Sequence, residues 1–280
     1  MAAIDPRYAA ARRVLLDALG ALSAHGQAVI VAGAQAVYLR TGEGEIGIAP
    51  YTTDGDLAID PAMLKDEPQL ETAMHGAHFT RSLTEPGVWL ATTTVDGVEL
   101  TIPIDLIVPE GVAPPGGHRG ARLGTHGKRA ARRAVGLEAA LVDHPPMTVT
   151  ALETSDTRQF DVEVAGVPAL FVAKAHKIHD RLQSNRPDRA EDKDAGDVYR
   201  LMQTTSPKDV AARLADLRKH ETAGSVTDAA IGYLVELFGR PNAQGVQMAV
   251  RALQLAIPEA QVATLATGYI DRLIAALGEP

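Results

Sequence analysis

The chain has no cysteine among its 280 residues. That excludes disulfides, thiol catalysis and cysteine-held zinc, and leaves secretion without support. Aromatic residues make up only 4%, so the core has to be built from Ala, Val, Leu and Ile. No apolar run reaches membrane-spanning length. The opening segment, MAAIDPRYAAARRVLLDALGALSAHG, interrupts its apolar pattern with Arg12, Arg13 and Asp17, and reads as an amphipathic helix rather than a signal peptide. The expectation is a cytoplasmic protein without a membrane partner. A basic excess is lacking too: the net charge of −8 argues against a general nucleic-acid coat but allows a local basic patch. What is present, 46% hydrophobic and 22% charged residues, belongs to an ordinary globular chain of one large domain or two modest ones.

Punctuation organises the sequence. Asp5 as N-cap, Pro6 at the first helical position and Gly26 as terminator predict a first helix. The apolar run QAVIVAG stops at Gly33 and predicts a strand, followed by the helix AQAVYLR, closed by Thr41-Gly42. A strand ending in glycine before a helix points helix N-terminal amides at an anion. A glycine-rich loop, GEGEIGIAPYT, leads to the segment around Asp54. WLATTTV and VELTIPIDLIV flank Asp96-Gly97, a type I′ hairpin turn. In the second arm Val98, Leu100, Ile102, Ile104 and Leu106 share one face, with Asp105 on the other, and Pro103 predicts an edge strand or a bulge. Strand-like pieces follow at MTVTAL and FDVEVAGV. From Pro168 the pattern is helical, with later helix starts at SPKDV, SVTDA, RPNAQ and PEAQV. The expected architecture is an α/β (α+β) domain with a mixed sheet at 1–167, then a C-terminal helical bundle at 168–280.

The stretch YTTDGDLAID places two carboxylates two positions apart at the head of a strand-like run, where aspartate is disfavoured. Asp54-Gly55 alone is best read as a turn. The alternative is a metal site: alternation puts Asp54 and Asp56 on one face, and paired carboxylates repel unless a cation lies between them. Other polar residues favour the alternative. Asp105 lies on a polar strand face, and Lys174, Lys177 and Arg181 follow a helical face at i, i+3, i+7. Asp194 and Asp197 repeat i, i+3 on the next helix, where first-turn acids are also favoured by the helix dipole. Carboxylates for Mg²⁺ (or Mn²⁺), glycine against a triphosphate and nearby cations are together the parts of nucleotidyl transfer.

VIVAG, TTDGDL and PIDLIV, in that order, resemble the nucleotidyltransferase fold. FVAKAHKIHDRL…EDKDAGDVYRL is similar to the segment that marks its AbiEii/MenT-type toxin branch, where a lysine, an arginine seven positions on and a basic-Asp-x-x-Asp motif recur; Lys174, Arg181, Lys193, Asp194 and Asp197 match. The resemblance spans roughly 28–201. It implies Mg²⁺ on Asp54, Asp56 and Asp105, with Asp105 also a base for the acceptor hydroxyl, and Lys174 on nucleotide phosphates. It implies that Asp194 and Asp197 complete the site from the helical half, which would close the active-site cleft. Gly33, Ala34, Gln35, Thr53, Lys177 and Arg181 would bind the nucleotide. It also implies transfer from an NTP, with a tRNA or other RNA 3′ end as acceptor, and a cognate antitoxin as partner.

The run from His118 to Arg133 holds Arg119, Arg122, Lys128, Arg129, Arg132 and Arg133 without an acid. It reads equally as an RNA-backbone groove or as an exposed loop, and lacks aromatics for base stacking. His176 and His179 read as surface histidines rather than metal ligands. Two alternatives stand beside the transferase. One is a weakened scaffold that binds a nucleotide or a partner protein, motivated by the junction Gly33-Ala34-Gln35, which lacks a hydroxyl. The other is transfer to a small cationic antibiotic.

Overall fold

The computed structural model describes residues 4–42, 51–116, 119–184, 192–253 and 256–278. The loop 43–50 and His118, both considered above, lie outside the described residues. The chain divides into two compact units. The first comprises 1–39, 49–134 and 144–165, and the second 40–48, 135–143 and 166–280.

The first unit carries a mixed sheet. Its strands are β1 (Val29–Ala32), β2 (Gly55–Ile59), β3 (Thr80–Arg81), β4 (Val88–Val95), β5 (Val98–Pro109), β6 (Arg132–Ala134), β7 (Pro146–Thr150) and β8 (Gln159–Val164). The strand order is β3-β4-β5-β2-β1-β8-β7, with β6 added to β5. β2 sits centrally, antiparallel to β1 and parallel to β5. Both neighbours are needed, because Leu57, Ala58 and Ile59 are wholly buried and a strand buried on both faces has to find pairing on both edges. The turn at Asp96-Gly97 forms as expected, with φ of 49° and 78°. β5 is not an edge strand; it pairs with β2 only from Ile104 onward, so Pro103 falls where that side of the strand has no partner among the described residues. The apolar face of β5 is also only partly used, since Val98 is exposed while Ile102, Ile104 and Leu106 are buried.

Helix α1 (Pro6–Ala21) starts as predicted: the Asp5 carboxylate accepts from the amides of Arg7, at 2.7 Å, and Tyr8. It ends earlier than expected, and Gly26 (φ 57°) instead kinks a 3-10 segment, Ser23–Ala28. Val14, Leu15, Leu16 and Leu19 are buried, each worth roughly 1.5–3 kcal/mol on removal from water. Arg12 is buried among them, donating from Nε to Gln35 Oε1 at 2.9 Å and from its guanidinium to the Tyr8 hydroxyl at 2.9 Å. Helix α2 (Gly33–Thr41) follows β1 directly. The short α3 (Leu70–Gly76), β3 and β6 are additions the sequence pattern did not signal.

The second unit is helical: α4 (Val167–Gln183), α5 (Asp192–Thr204), α6 (Pro207–Arg218), α7 (Gly224–Phe238), α8 (Gln244–Leu253) and α9 (Glu259–Leu277). The start expected at SPKDV holds with its cap, the Ser206 hydroxyl accepting from the Asp209 amide at the head of α6, whereas α8 begins only at Gln244, past Pro241. The bundle buries Phe171, Ile178, Tyr199, Leu214, Leu234, Phe238 and Tyr269. No helix of the described residues is long and apolar enough to cross a membrane.

Candidate functional site

The centre of the first sheet brings together Gly33, Asp54, Asp56 and Asp105. Ala32, Asp56 and Asp105 are register partners across β1, β2 and β5, so Asp56 and Asp105 stand side by side. Asp54 lies one residue before β2. Its carboxylate accepts from the hydroxyl of Thr52, which is fully buried. The turn reading of Asp54-Gly55 fails for a packing reason. Gly55 opens a strand, and a Cβ there would lie 2.7 Å from Ile104 Cδ1 and 3.4 Å from Leu15 Cδ1. This glycine makes room for the core rather than for a reversal.

Gly33 is the second requirement. It has φ +62°, and a Cβ on it would lie 2.8 Å from the Asp56 carboxyl carbon. The strand–helix junction and the carboxylate therefore share one space, and only glycine leaves it open. Of the remaining junction residues, Ala34 and Gln35 are buried. Gln35 is engaged by Arg12, so it supports the junction from within. Thr53 is exposed.

Asp105, expected as the third carboxylate, is ion-paired. Arg132, at the start of β6, donates to Asp105 Oδ2 from Nε at 3.1 Å and Nη2 at 2.7 Å. Oδ1 of Asp105 is buried and has no hydrogen-bond partner among the described residues. Burial works to lower the pKa of Arg132, but Asp105 and then Asp56 outweigh it and hold it above its ordinary value. Among the described residues no three His, Asp or Glu side chains gather closely enough to hold a metal ion by themselves. Mg²⁺ asks less than that, since it is commonly held by one or two carboxylates together with substrate phosphates and water. Asp54 and Asp56 are the two carboxylates that would hold such an ion.

A second charged cluster lies within the helical unit. Lys174 Nζ donates to Asp194 Oδ1 at 2.7 Å and Asp197 Oδ2 at 2.6 Å, and all three residues are buried. Lys177 reaches Asp194 at 3.1 Å, and Arg181 donates to its other oxygen at 2.8 Å. The i, i+3, i+7 spacing on α4 thus converges on the first turn of α5. Burial opposes charge on Lys174, yet the two aspartates raise its pKa well above the ordinary value. Burial likewise opposes charge on Asp194, but Lys174 and Lys177 hold its pKa well below the carboxylate range. Two of the three ammonium donors of Lys174 are committed to these carboxylates. Lys177 and Arg181 retain side-chain exposures of 37% and 27%.

The basic run is not one open strip. Arg132 pairs with Asp105, Arg133 donates to both oxygens of Glu110 at 2.9 and 2.6 Å, and Arg129 donates to the Leu83 carbonyl at 2.9 Å. Arg119, Arg122 and Lys128 are exposed. His176 is buried rather than on the surface, with Nε2 at 2.8 Å from the Val226 carbonyl, and His179 stacks on Tyr233 at 3.7 Å. Sequence reasoning missed Thr52 as the support of Asp54. It placed Arg132 with RNA, although an arginine with no acid nearby in sequence gives no sign of a partner 27 residues earlier.

No family model matches the chain, and no curated protein matches it. Among solved structures, JHP933 from Helicobacter pylori is similar in fold, with a TM-score of 0.50 at 12% identity over 99% of this chain and 95% of that one. An antigenic nucleotidyltransferase-like protein from Paracoccidioides brasiliensis is matched over 80% of this chain and 93% of its own at 16% identity. Its TM-score of 0.33 is too low to bear on the fold.

Proposed function

We propose that the chain is a metal-assisted nucleotidyltransferase that moves a nucleoside monophosphate from an NTP to a hydroxyl acceptor. The observation that carries this reading is the apposition of Gly33 and Asp56: a glycine of positive φ at a strand–helix junction, pressed against a carboxylate that has a second carboxylate as register neighbour. Asp54 and Asp56 would hold Mg²⁺, which when bound neutralises phosphate charge. The backbone at Gly33 would admit the triphosphate closely, and Thr52 would keep the Asp54 carboxylate in place. Asp105, through Oδ1, would take the proton of the acceptor hydroxyl. In the helical unit, Asp194 gathers Lys177 and Arg181 into a cationic pair suited to phosphate oxygens. The exposed Arg119, Arg122 and Lys128 favour an RNA end, such as that of tRNA, as acceptor.

The test is pyrophosphate release from each of the four nucleoside triphosphates with Mg²⁺ and total tRNA, wild type beside Asp54→Ala and Asp56→Ala. Release that requires RNA and is lost in both folded variants supports the reading; full turnover in either variant defeats it. A second reading, nucleotide binding without transfer, is favoured by the commitment of Asp105 Oδ2 to Arg132. Calorimetry separates the two, because binding of NTP with Mg²⁺ but without pyrophosphate release supports the second.

A further inference from the structure

Arg12 on α1 is a buried cation that the proposed chemistry does not use. Its hydrogen-bond partners among the described residues are all neutral: Gln35 Oε1 at 2.9 Å, the Tyr8 hydroxyl at 2.9 Å and the Thr150 carbonyl at 3.2 Å. A guanidinium stays charged when buried, and an apolar side chain would avoid that cost. What the guanidinium supplies instead is direction. It has donors only, so Gln35 turns its oxygen toward Arg12 and its amide nitrogen toward the Asp54 carbonyl, 3.5 Å away. Tyr8, one turn before Arg12, meets the ring of Tyr38 edge-on at 5.6 Å, and the Tyr38 hydroxyl donates to the Tyr51 carbonyl at 2.9 Å. Gln35 and Tyr38 are themselves one turn apart on α2, and both are buried.

Two arms therefore run from Arg12 through α2 to the main chain at Tyr51 and at Asp54. Between those two points lies Thr52, whose hydroxyl donates to the Asp54 carboxylate. We propose that Arg12 is a positioning residue for Asp54: through Gln35, and through Tyr8 and Tyr38, it fixes segment 51–54 so that the carboxylate is aimed before a cation arrives. This rests on the reading of Asp54 and Asp56 as metal ligands. A ligand already aimed loses less freedom when the ion binds, and groups that orient metal ligands contribute to affinity without touching the metal. The sign of the effect separates positioning from charge. Removing a positive charge near the site would by itself tighten the hold on a divalent cation, whereas losing the two arms weakens it.

Titrating the intact chain with Mn²⁺, the free ion read by electron paramagnetic resonance and folding by circular dichroism, tests this without reference to turnover. Arg12→Met is expected to raise the Kd for Mn²⁺ about 10- to 100-fold, and Tyr38→Phe, which removes only a hydroxyl, about tenfold. Arg13→Gln loosens the same helix by breaking a partly exposed pair with Glu153, and leaves the Kd unchanged. Tighter or unaltered binding in folded Arg12→Met, unaltered binding in folded Tyr38→Phe, or equal weakening in Arg13→Gln would overturn the proposal while leaving the metal site standing. Should Arg12→Met not fold, Tyr38→Phe decides. No uptake by the wild type, or uptake that survives Asp54→Ala/Asp56→Ala, overturns the ligand reading itself and the proposal with it.

Discussion

Gly33 and Asp56 cannot be changed independently: a Cβ on Gly33 would lie 2.8 Å from Cγ and 2.9 Å from Cβ of Asp56. Gly33→Ala therefore incurs two costs, about 1–2 kcal/mol for the left-handed backbone and about 1–3 kcal/mol for the contact. Gly278→Ala is the control. Its backbone is left-handed, with φ 72° and ψ 22°, yet nothing lies within 4 Å of the added carbon, so only the first cost applies. Urea denaturation is expected to rank Gly33→Ala below Gly278→Ala, with Mn²⁺ binding lost in the former alone. Equal stability losses would refute the contact.

This pair also marks what the sequence could tell. The strand ending at Gly33, the carboxylates of DGD and the later PID are local patterns, and their order is enough to suggest that they meet. Which of them share a row is a matter of register between β1, β2 and β5, and no local signal sets it. Gly55 was misleading because Asp-Gly is a strong turn signal, while its real cause, the side chains of Ile104 and Leu15, comes from remote segments. The helices of the second unit are legible to within a few residues because start signals such as Pro168, Ser206-Pro207 and Pro258 lie in or beside their first turns. Arg132 was read with its neighbours in sequence, whereas its role follows from Asp105, which only sheet pairing brings near.

Lys174 holds two buried carboxylates, and removing it leaves Asp197 without the cation that compensates its burial. Lys174→Met is expected to cost about 3–5 kcal/mol, and Lys174→Met/Asp197→Asn to recover most of that. Asp194 keeps Lys177 and Arg181 in both variants. The cluster is also insensitive to pH across the neutral range. The depressed pKa of Asp194 gives stability that is present above its ordinary 3.8 and lost as pH falls through the folded value. The raised pKa of Lys174 gives stability that is complete below 10.5 and lost as pH rises through the folded value. Chemical denaturation of wild type and both variants at neutral pH decides the matter; a double variant no more stable than the single would sink the pairing argument.

The basic run separates into residues that face solvent and residues that serve the fold, and RNA binding should distinguish them. Replacing Arg119, Arg122 and Lys128 together with Gln is expected to weaken tRNA binding and reduce the slope of log affinity against log salt by about 2 to 3. Arg133→Gln breaks a pair with an exposed Glu110, costs about 0–1 kcal/mol of stability, and leaves the slope unchanged. Fluorescence anisotropy over a salt series measures both. A slope unaltered by the triple change removes the run as an RNA surface.

His25 makes the first unit sensitive to mild acid. It is 1% exposed, and its one polar neighbour of note among the described residues is the Pro68 backbone. The ring meets His126 edge-on at 5.6 Å. His126 is itself held by the Leu70 amide, which donates to its Nδ1 at 3.0 Å, and lies 2.9 Å from the Lys65 carbonyl through Nε2. Burial, with the charge of His126 and then of Lys65, outweighs the hydrogen bond to the Pro68 backbone and lowers the His25 pKa below its ordinary 6.5. The unfolded chain therefore binds a proton at His25 before the folded chain does. The stability gained from keeping this ring neutral is complete above pH 6.5 and declines as pH falls toward the folded value, by at most about 1.4 kcal/mol per pH unit. His25→Leu removes the titrating group while filling the same apolar space. Melting curves between pH 7.5 and about 5 should show a drop in the wild type that is smaller in His25→Leu; parallel drops in the two proteins would assign the acid sensitivity to other groups.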